Sequence, residues 1–198
     1  MNGTIKYYDE HASYYFEKTS HVDLVVLYKE FLKYVPVGGR IMDLGCGSGR
    51  DVKWFRDHGY EAYGLDASER LVTIARDKLE IPVEVGHIEE WIADEAFDGI
   101  WCCASLMHLD DISFDMFLSN LRCNLRQGGA LFISVKEGID SGVSEDGRYF
   151  RDFNDETLNA FISHYKGLRI EKVWYTTDKL YRDSFRWMNA IIIRTNEK

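Results

Sequence analysis

The sequence predicts an α/β fold, a doubly wound, mostly parallel seven-stranded sheet with helices on both faces and an antiparallel strand brought in by a carboxyl-terminal hairpin. Three features carry that expectation. Short apolar runs alternate with helix-period segments from about residue 40 to residue 136. The turn after the first run, "DLGCGSGRD", packs Gly45, Gly47 and Gly49 close together. The last two apolar runs are joined by a polar stretch alone.

Ahead of the alternation, "HVDLVVLYKEFLKYV" sets Val22, Val25, Val26, Phe31 and Leu32 on a helical period, which Pro36, Gly38 and Gly39 end. "RIMDL" then reads as a buried strand, "DVKWFRDHG" as a short helix stopped by Gly59, and "YEAYGLD" as a second strand. "SERLVTIARDKL" is a helix with Ser68 as its N-cap, because a serine hydroxyl can accept from the first-turn amides. "PVEVG" and "FDGIWCCAS" are further strands, with a helical turn from Glu89 to Ala93 between them. Phe114, Phe117, Leu118, Leu121 and Leu125 line one face of the helix before the strand "GGALFISV". After a helix near Leu158 to Tyr165, "LRIEKVWY" and "SFRWMNAIIIR" are strands whose connection, "TTDKLYRD", leaves no room for a crossover helix, so they pair antiparallel. The leader, "MNGTIKYYDEHASYYFEK", has clustered tyrosines and no strand or helix period.

A chain of 198 residues with 45% apolar content can bury roughly 70% of the surface its unfolded form exposes. No linker divides it, so one domain is expected over residues 1–198. No run approaches the roughly 18 apolar residues of a membrane span, and the amino terminus lacks the apolar core of a signal peptide. A soluble, cytoplasmic protein is expected, as monomer or homodimer. Cys46, Cys102, Cys103 and Cys123 have no paired metal-ligand spacing and are too few for a disulfide scaffold, so they are expected reduced and mostly buried, with no metal site. A formal net charge of -9 argues against a sequence-independent grip on nucleic acid or an anionic membrane.

In an open alternating sheet, ligands bind beyond the carboxyl ends of the strands, where a glycine turn points backbone N–H groups at them. The loop after Leu44 lies there. It fails the dinucleotide fingerprint G-x-G-x-x-G, because Arg50 stands at the sixth position from Gly45 and Gly49 comes one place early. Asp43, just before the glycines, would sit badly beside a pyrophosphate and suits a ligand carrying an ammonium group. The pattern D-x-G-x-G-x-G, with Asp66 ending the next strand in "YGLDAS", resembles class I S-adenosylmethionine-dependent methyltransferases. "VGHIEEW", "FDGIWCCASLMHL" and "LRQGGALFISV" match that family's later motifs in order and spacing, so the resemblance covers roughly residues 38 to 136. The final third, with "GRYFRDFNDETLNAF" and "WMNAIIIR", resembles the small methyltransferases related to tellurite-resistance proteins.

The resemblance implies a Rossmann-like fold, S-adenosylmethionine as cofactor and S-adenosylhomocysteine as product. It divides the chain into a leader that closes as a lid (1–20), a cofactor-binding core (38–136) and a substrate-side loop with the hairpin (137–198). Asp66, followed by Ala67, would accept both ribose hydroxyls, since a carboxylate offers two oxygens to a vicinal diol. Gly45 and Gly47 would let the backbone approach the cofactor, and Asp43 would orient the loop or meet the ammonium through water. Arg50 could pair with the cofactor carboxylate, or be solvated in the first turn of its helix. The resemblance also implies adenine contacts from His87 and Ile88 and backbone carbonyls from Cys103 and Ala104. Tyr8 and Tyr14 are the lid's candidate cofactor contacts, with simple packing the alternative.

A hydroxyl acceptor needs a base, and His108, just beyond the fourth strand, is the candidate. The Pro-Pro motif of the amino methyltransferases acting on bases and glutamine is absent from "CCAS", which favours a small-molecule acceptor. Lys136, Arg148 and Tyr149, in and beside the loop "EGIDSGVSEDGRYF", are candidate substrate contacts. Two rival readings are a tRNA methyltransferase of the wobble-uridine type, which needs a basic face, and a regulatory protein that binds the cofactor without turnover.

Overall fold

The computed structural model describes residues 2–138, 140–177 and 186–196. Seven strands form one sheet: β1 (Arg40–Leu44), β2 (Glu61–Asp66), β3 (Val83–Val85), β4 (Phe97–Cys103), β5 (Leu125–Lys136), β8 (Leu168–Thr177) and β9 (Arg186–Arg194). Their order is β3-β2-β1-β4-β5-β9-β8, and β6 (Gly142–Val143) and β7 (Tyr149–Phe150) form a separate small hairpin. The pairs from β3 through β5 are parallel, while β9 is antiparallel to both β5 and β8. The strand that reverses is the one the hairpin inserts, as the polar connection required. Residues 178–183 of that connection, and Ser184 and Phe185 of the strand expected after it, lie outside the described residues.

Strand alternation splits the core over two faces. Met42, Leu44, Ile100, Cys102, Leu131 and Ile133 meet α6 (Asp111–Asn124) and α7 (Asp155–Ser163). Ile41, Ala62, Trp101, Ala130 and Phe132 meet α3 (Val25–Phe31), α4 (Arg50–Asp57) and α5 (Glu69–Leu79). This is the period of two that puts neighbouring residues on opposite faces. Trp101 stacks on Phe132 at a centroid distance of 3.9 Å and anchors the second face.

Several expectations are corrected. The leader is two helices, α1 (Asn2–Glu10) and α2 (Ala12–Thr19). Tyr8, Ala12 and Tyr15 stand at i, i+4 and i+7, a spacing that shares one helical face, and Ala12 and Phe16 are buried. Between Glu89 and Ala93 only a turn forms, over residues 88–90. Cys46 and Cys102 are buried, but Cys103 is half-buried and Cys123 exposed, and all four are free. No helix among the described residues is long and apolar enough to cross a membrane.

Candidate active site

With β1 central, its carboxyl end opens on a loop flanked by the ends of β2 and β4. Gly45 and Gly47 take φ of +77° and +51°, the left-handed region where a side chain is strained. A Cβ on Gly45 would lie 2.3 Å from the Ser105 Cβ, and one on Gly47 would lie 3.2 Å from the Tyr15 ring. The loop curls toward β2, where the amides of Gly45 and Cys46 both donate to the Leu65 carbonyl, at 2.7 and 3.0 Å.

Asp66 closes the turn. Its Oδ2 accepts from the Gly47 amide at 2.8 Å and its Oδ1 from the Ser68 amide at 2.9 Å. Each oxygen keeps another lone pair, so the carboxylate can still accept two donors from a ligand. Burial raises its pKa against the pull of those two amides. Ser68 is the N-cap of α5, accepting from the Leu71 amide at 3.2 Å.

Beneath the loop, Asp51 binds three partners: Arg50 through Nε at 2.5 Å, Tyr28 Oη at 2.5 Å and Trp101 Nε1 at 2.9 Å. Burial works to raise the Asp51 carboxyl, yet the Arg50 charge and these donors hold it below its ordinary value. Arg50 also donates to the Thr19 carbonyl at 3.3 Å, tying the end of α2 to the start of α4. It is therefore not a solvated helix residue: three of its five N–H groups are taken by Asp51 and the Thr19 carbonyl, and its side chain does not line the cavity. Asp43 is buried, its Oδ2 has no hydrogen-bond partner, and burial with the nearby Asp51 charge pushes its pKa well up. It lies under the cavity and does not line it.

The cavity over the strand ends encloses about 680 Å3 of empty space, its open mouth included. Gly45, Gly47, Asp66, Ala67, His87, Ile88, Ala104 and His108 line it, all of them expected from the sequence. Ala104 holds a positive φ of 62°, a strained conformation that in a non-glycine residue often marks a functional site. Cys103 does not line the cavity.

Helices α1 and α2 roof it. Tyr8 and Tyr15 line the cavity, their rings edge to face at 5.1 Å. Tyr14 is corrected: it is 59% exposed and accepts from Lys18 at 3.0 Å. The Tyr8-to-Tyr15 spacing of one heptad was the signal for Tyr15. Asp9 accepts from the Ser68 hydroxyl at 2.6 Å, and Thr4 Oγ1 accepts from the Tyr149 amide at 2.9 Å.

His108 is buried between Tyr8, whose hydroxyl lies 2.9 Å from Nε2, and the Tyr149 carbonyl, 2.7 Å from Nδ1. Burial, aided by the Arg148 and Lys136 charges, lowers its pKa to about 4, so the ring is neutral at ordinary pH. The expected substrate contacts fall elsewhere, and none of the three lines the cavity. Lys136 places its ammonium over the Phe150 ring at 5.2 Å. Arg148 pairs with Asp146 at 2.5 Å and lies over the Tyr7 ring at 4.3 Å, so it packs against α1. Tyr149 contributes its backbone to His108 and Thr4. Sequence reasoning missed Thr4, Ile5, Leu71, Glu89, Ser105 and Leu109, which also line the cavity. Glu89, Ser105 and Leu109 fall inside the motifs "VGHIEEW" and "FDGIWCCASLMHL", which could have pointed to them, whereas Thr4, Ile5 and Leu71 lie outside the quoted motifs.

Residues 41–129 match the family described as "Methyltransferase domain", and this stretch runs from β1 into β5. An uncharacterized methyltransferase of Staphylococcus carnosus is 20% identical over 185 residues, covering 88% of this chain and 89% of that protein. A ubiquinone biosynthesis O-methyltransferase of Xanthomonas axonopodis pv. citri is 31% identical over 107 residues, covering 50% of this chain but only 44% of that protein. Among solved structures, the 1,6-didemethyltoxoflavin-N1-methyltransferase of Burkholderia thailandensis, with bound 1,6-didemethyltoxoflavin and S-adenosylhomocysteine, superposes with a TM-score of 0.76 at 17% identity. The superposition covers 97% of this chain and 88% of that one. The chain thus has the Rossmann-like fold seen in methyltransferases, and that fold extends on both sides beyond the stretch that matches the methyltransferase family.

Proposed function

We propose that the protein is an S-adenosylmethionine-dependent methyltransferase whose acceptor is a small molecule held between the α1–α2 lid and the carboxyl ends of β1, β2 and β4. The observation that carries this reading is the roofed cavity in which Asp66 faces the glycine loop of the stretch that matches the methyltransferase family. The residues suit the cofactor's chemistry. Asp66 has two lone pairs to spare for a ribose diol, and Gly45 and Gly47 leave room where side chains would fill it. The unpartnered Asp43 Oδ2, beneath the cavity, would be satisfied by a water that bridges it to an ammonium group. His87 and Ile88 follow β3, where an adenine would meet an apolar side chain and backbone amides.

When bound, the cofactor supplies a methyl group on positively charged sulfur, transferable in line to a nucleophile. The chain's part is to align the reactants at about 3 Å and exclude water. The lid and its tyrosines serve both ends. His108 Nε2, an acceptor at ordinary pH, can take a proton. A small acceptor is favoured over RNA because no cationic side chain lines the cavity among the described residues, and the nearby Arg50 and Arg148 are committed to Asp51 and Asp146. The narrower kinship with the tellurite-related branch rests on the carboxyl-terminal residues alone and names no substrate.

Incubating the pure protein with methyl-labelled S-adenosylmethionine and cell extract tests the reading. Label is expected in the small-molecule fraction. Label in RNA or protein would replace the acceptor class, and cofactor binding without transfer would leave a regulatory protein.

A further inference from the structure

We propose that Tyr8 and His108 form a proton-accepting pair, and that the acceptor is a compound whose nucleophile is a hydroxyl, of phenol or enol type. The proposal rests on the methyltransferase reading and narrows it.

The hydrogen bonds around His108 settle where its proton sits. A backbone carbonyl can only accept, so Nδ1, 2.7 Å from the Tyr149 oxygen, must carry the hydrogen. Nε2 then has the lone pair, and the Tyr8 hydroxyl at 2.9 Å must be the donor. The tautomer is therefore fixed by a main-chain group of β7 in the small hairpin, and a ring in this tautomer is ready to accept one proton from the tyrosine. Both side chains line the cavity, while the surrounding apolar groups keep the imidazole neutral and its lone pair available.

Tyr8 is also the better placed of the two to meet an acceptor. Its oxygen donates its one hydrogen to His108 and retains lone pairs for an incoming hydroxyl. Arg148, with Nη1 3.5 Å from that oxygen, supplies a positive charge beside it, and the ion pair to Asp146 holds the guanidinium there. Burial raises the pKa of the Tyr8 hydroxyl, while the Arg148 charge and hydrogen bond pull the other way, so the negative charge that develops on its oxygen during transfer meets a fixed cation.

The transfer balances as follows. The acceptor O–H bond breaks and its proton goes to Tyr8 Oη, while the Tyr8 hydrogen goes to His108 Nε2. The new O–C bond forms as the C–S bond of the donor breaks, so the positive charge lost at sulfur reappears on the imidazolium, and the cavity holds one positive charge before and after. When the lid opens, His108 returns its proton to water. A neutral amine has a free lone pair and attacks without losing a proton first, so it would have no need of this pair.

The experiment uses the full chain and 13C-methyl S-adenosylmethionine with cell extract, comparing the wild type with Tyr8→Phe and locating the labelled atom by NMR. Binding of S-adenosylhomocysteine is followed by calorimetry, and the His108 ring nitrogens by 15N NMR without any ligand. The expected results are a methyl on oxygen, labelling reduced by roughly 100-fold or more in Tyr8→Phe, retained S-adenosylhomocysteine binding, and a wild-type ring protonated on Nδ1 whose Nε2 signal moves when the phenol is removed. A methyl on nitrogen, carbon or sulfur would overturn the pair while leaving a methyltransferase. So would wild-type labelling by Tyr8→Phe, or a ring protonated on Nε2. Failure of S-adenosylhomocysteine to bind, or the absence of any transfer, would remove the underlying reading and the pair with it.

Discussion

Around the glycine loop the decisive contacts are made by backbone: Gly45 and Cys46 donate to the Leu65 carbonyl, and the Gly47 and Ser68 amides donate to Asp66. The lid is held differently. Side chains on α1 reach residues 59 to 145 positions away, from Asp9 to Ser68, Tyr8 to His108 and Thr4 to the Tyr149 amide. A backbone turn demands particular residues at fixed spacing and so leaves a mark in the sequence. A side-chain clasp asks only for compatible groups that the fold brings together. The first arrangement is rigid and intolerant; the second can be undone one hydrogen bond at a time, as a lid that admits a cofactor requires.

The contrast is broken most severely at Gly45. Gly45→Ala would place a methyl 2.3 Å from the Ser105 Cβ at a φ of +77°, a left-handed strain plus overpacking of about 2–5 kcal/mol. Urea unfolding should register that loss, and S-adenosylhomocysteine binding should disappear even where the variant remains folded. A variant as stable as the wild type with binding intact would show that the loop is not tightly built.

A smaller effect follows from His108, whose pKa burial lowers from 6.5 to about 4. Between those two values the unfolded chain binds a proton that the folded chain refuses, so stability falls as the pH drops from about 6.5 toward 4. Relative to His108→Gln, which cannot titrate, the wild type should lose about 2–3 kcal/mol more between pH 7 and 4.5. Parallel pH dependence in the two proteins would mean the imidazole is not buried under a closed lid.

The mildest perturbation is Arg148→Ala, which removes the charge over Tyr7 and the donor near Tyr8 but leaves every cavity-lining side chain in place. Amide exchange should quicken a few-fold in α1 and stay unchanged from Gly45 to Gly49. Equal acceleration in both segments would erase the distinction between a rigid loop and a releasable lid.

The same distinction explains what could be read in advance. The strands, the reversed hairpin, Ser68 as N-cap and the glycine loop with Asp66 were legible because each follows from local periodicity or a fixed turn. The pairing of Arg50 with Asp51 was not foreseen, because adjacency in sequence does not reveal that a guanidinium will turn onto its neighbour's carboxylate. Arg148 went the same way to Asp146. Tyr14 was chosen over Tyr15 because the leader was taken to lack a helical period, and only on a helix does the heptad from Tyr8 pick out Tyr15. Thr4 and Ile5 had no signal, since they reach the cavity only because α1 lies across it.

The central claim is that Asp66 and the glycine loop hold S-adenosylmethionine and not a dinucleotide. Calorimetric titration of the wild type and Asp66→Ala with S-adenosylhomocysteine and with NAD tests it most directly. The account predicts one-site binding of S-adenosylhomocysteine by the wild type, at least about tenfold weaker binding by Asp66→Ala from the loss of charge-assisted hydrogen bonds, and no heat from NAD. Tighter binding of NAD, or S-adenosylhomocysteine affinity unchanged in a variant that melts like the wild type, would contradict it.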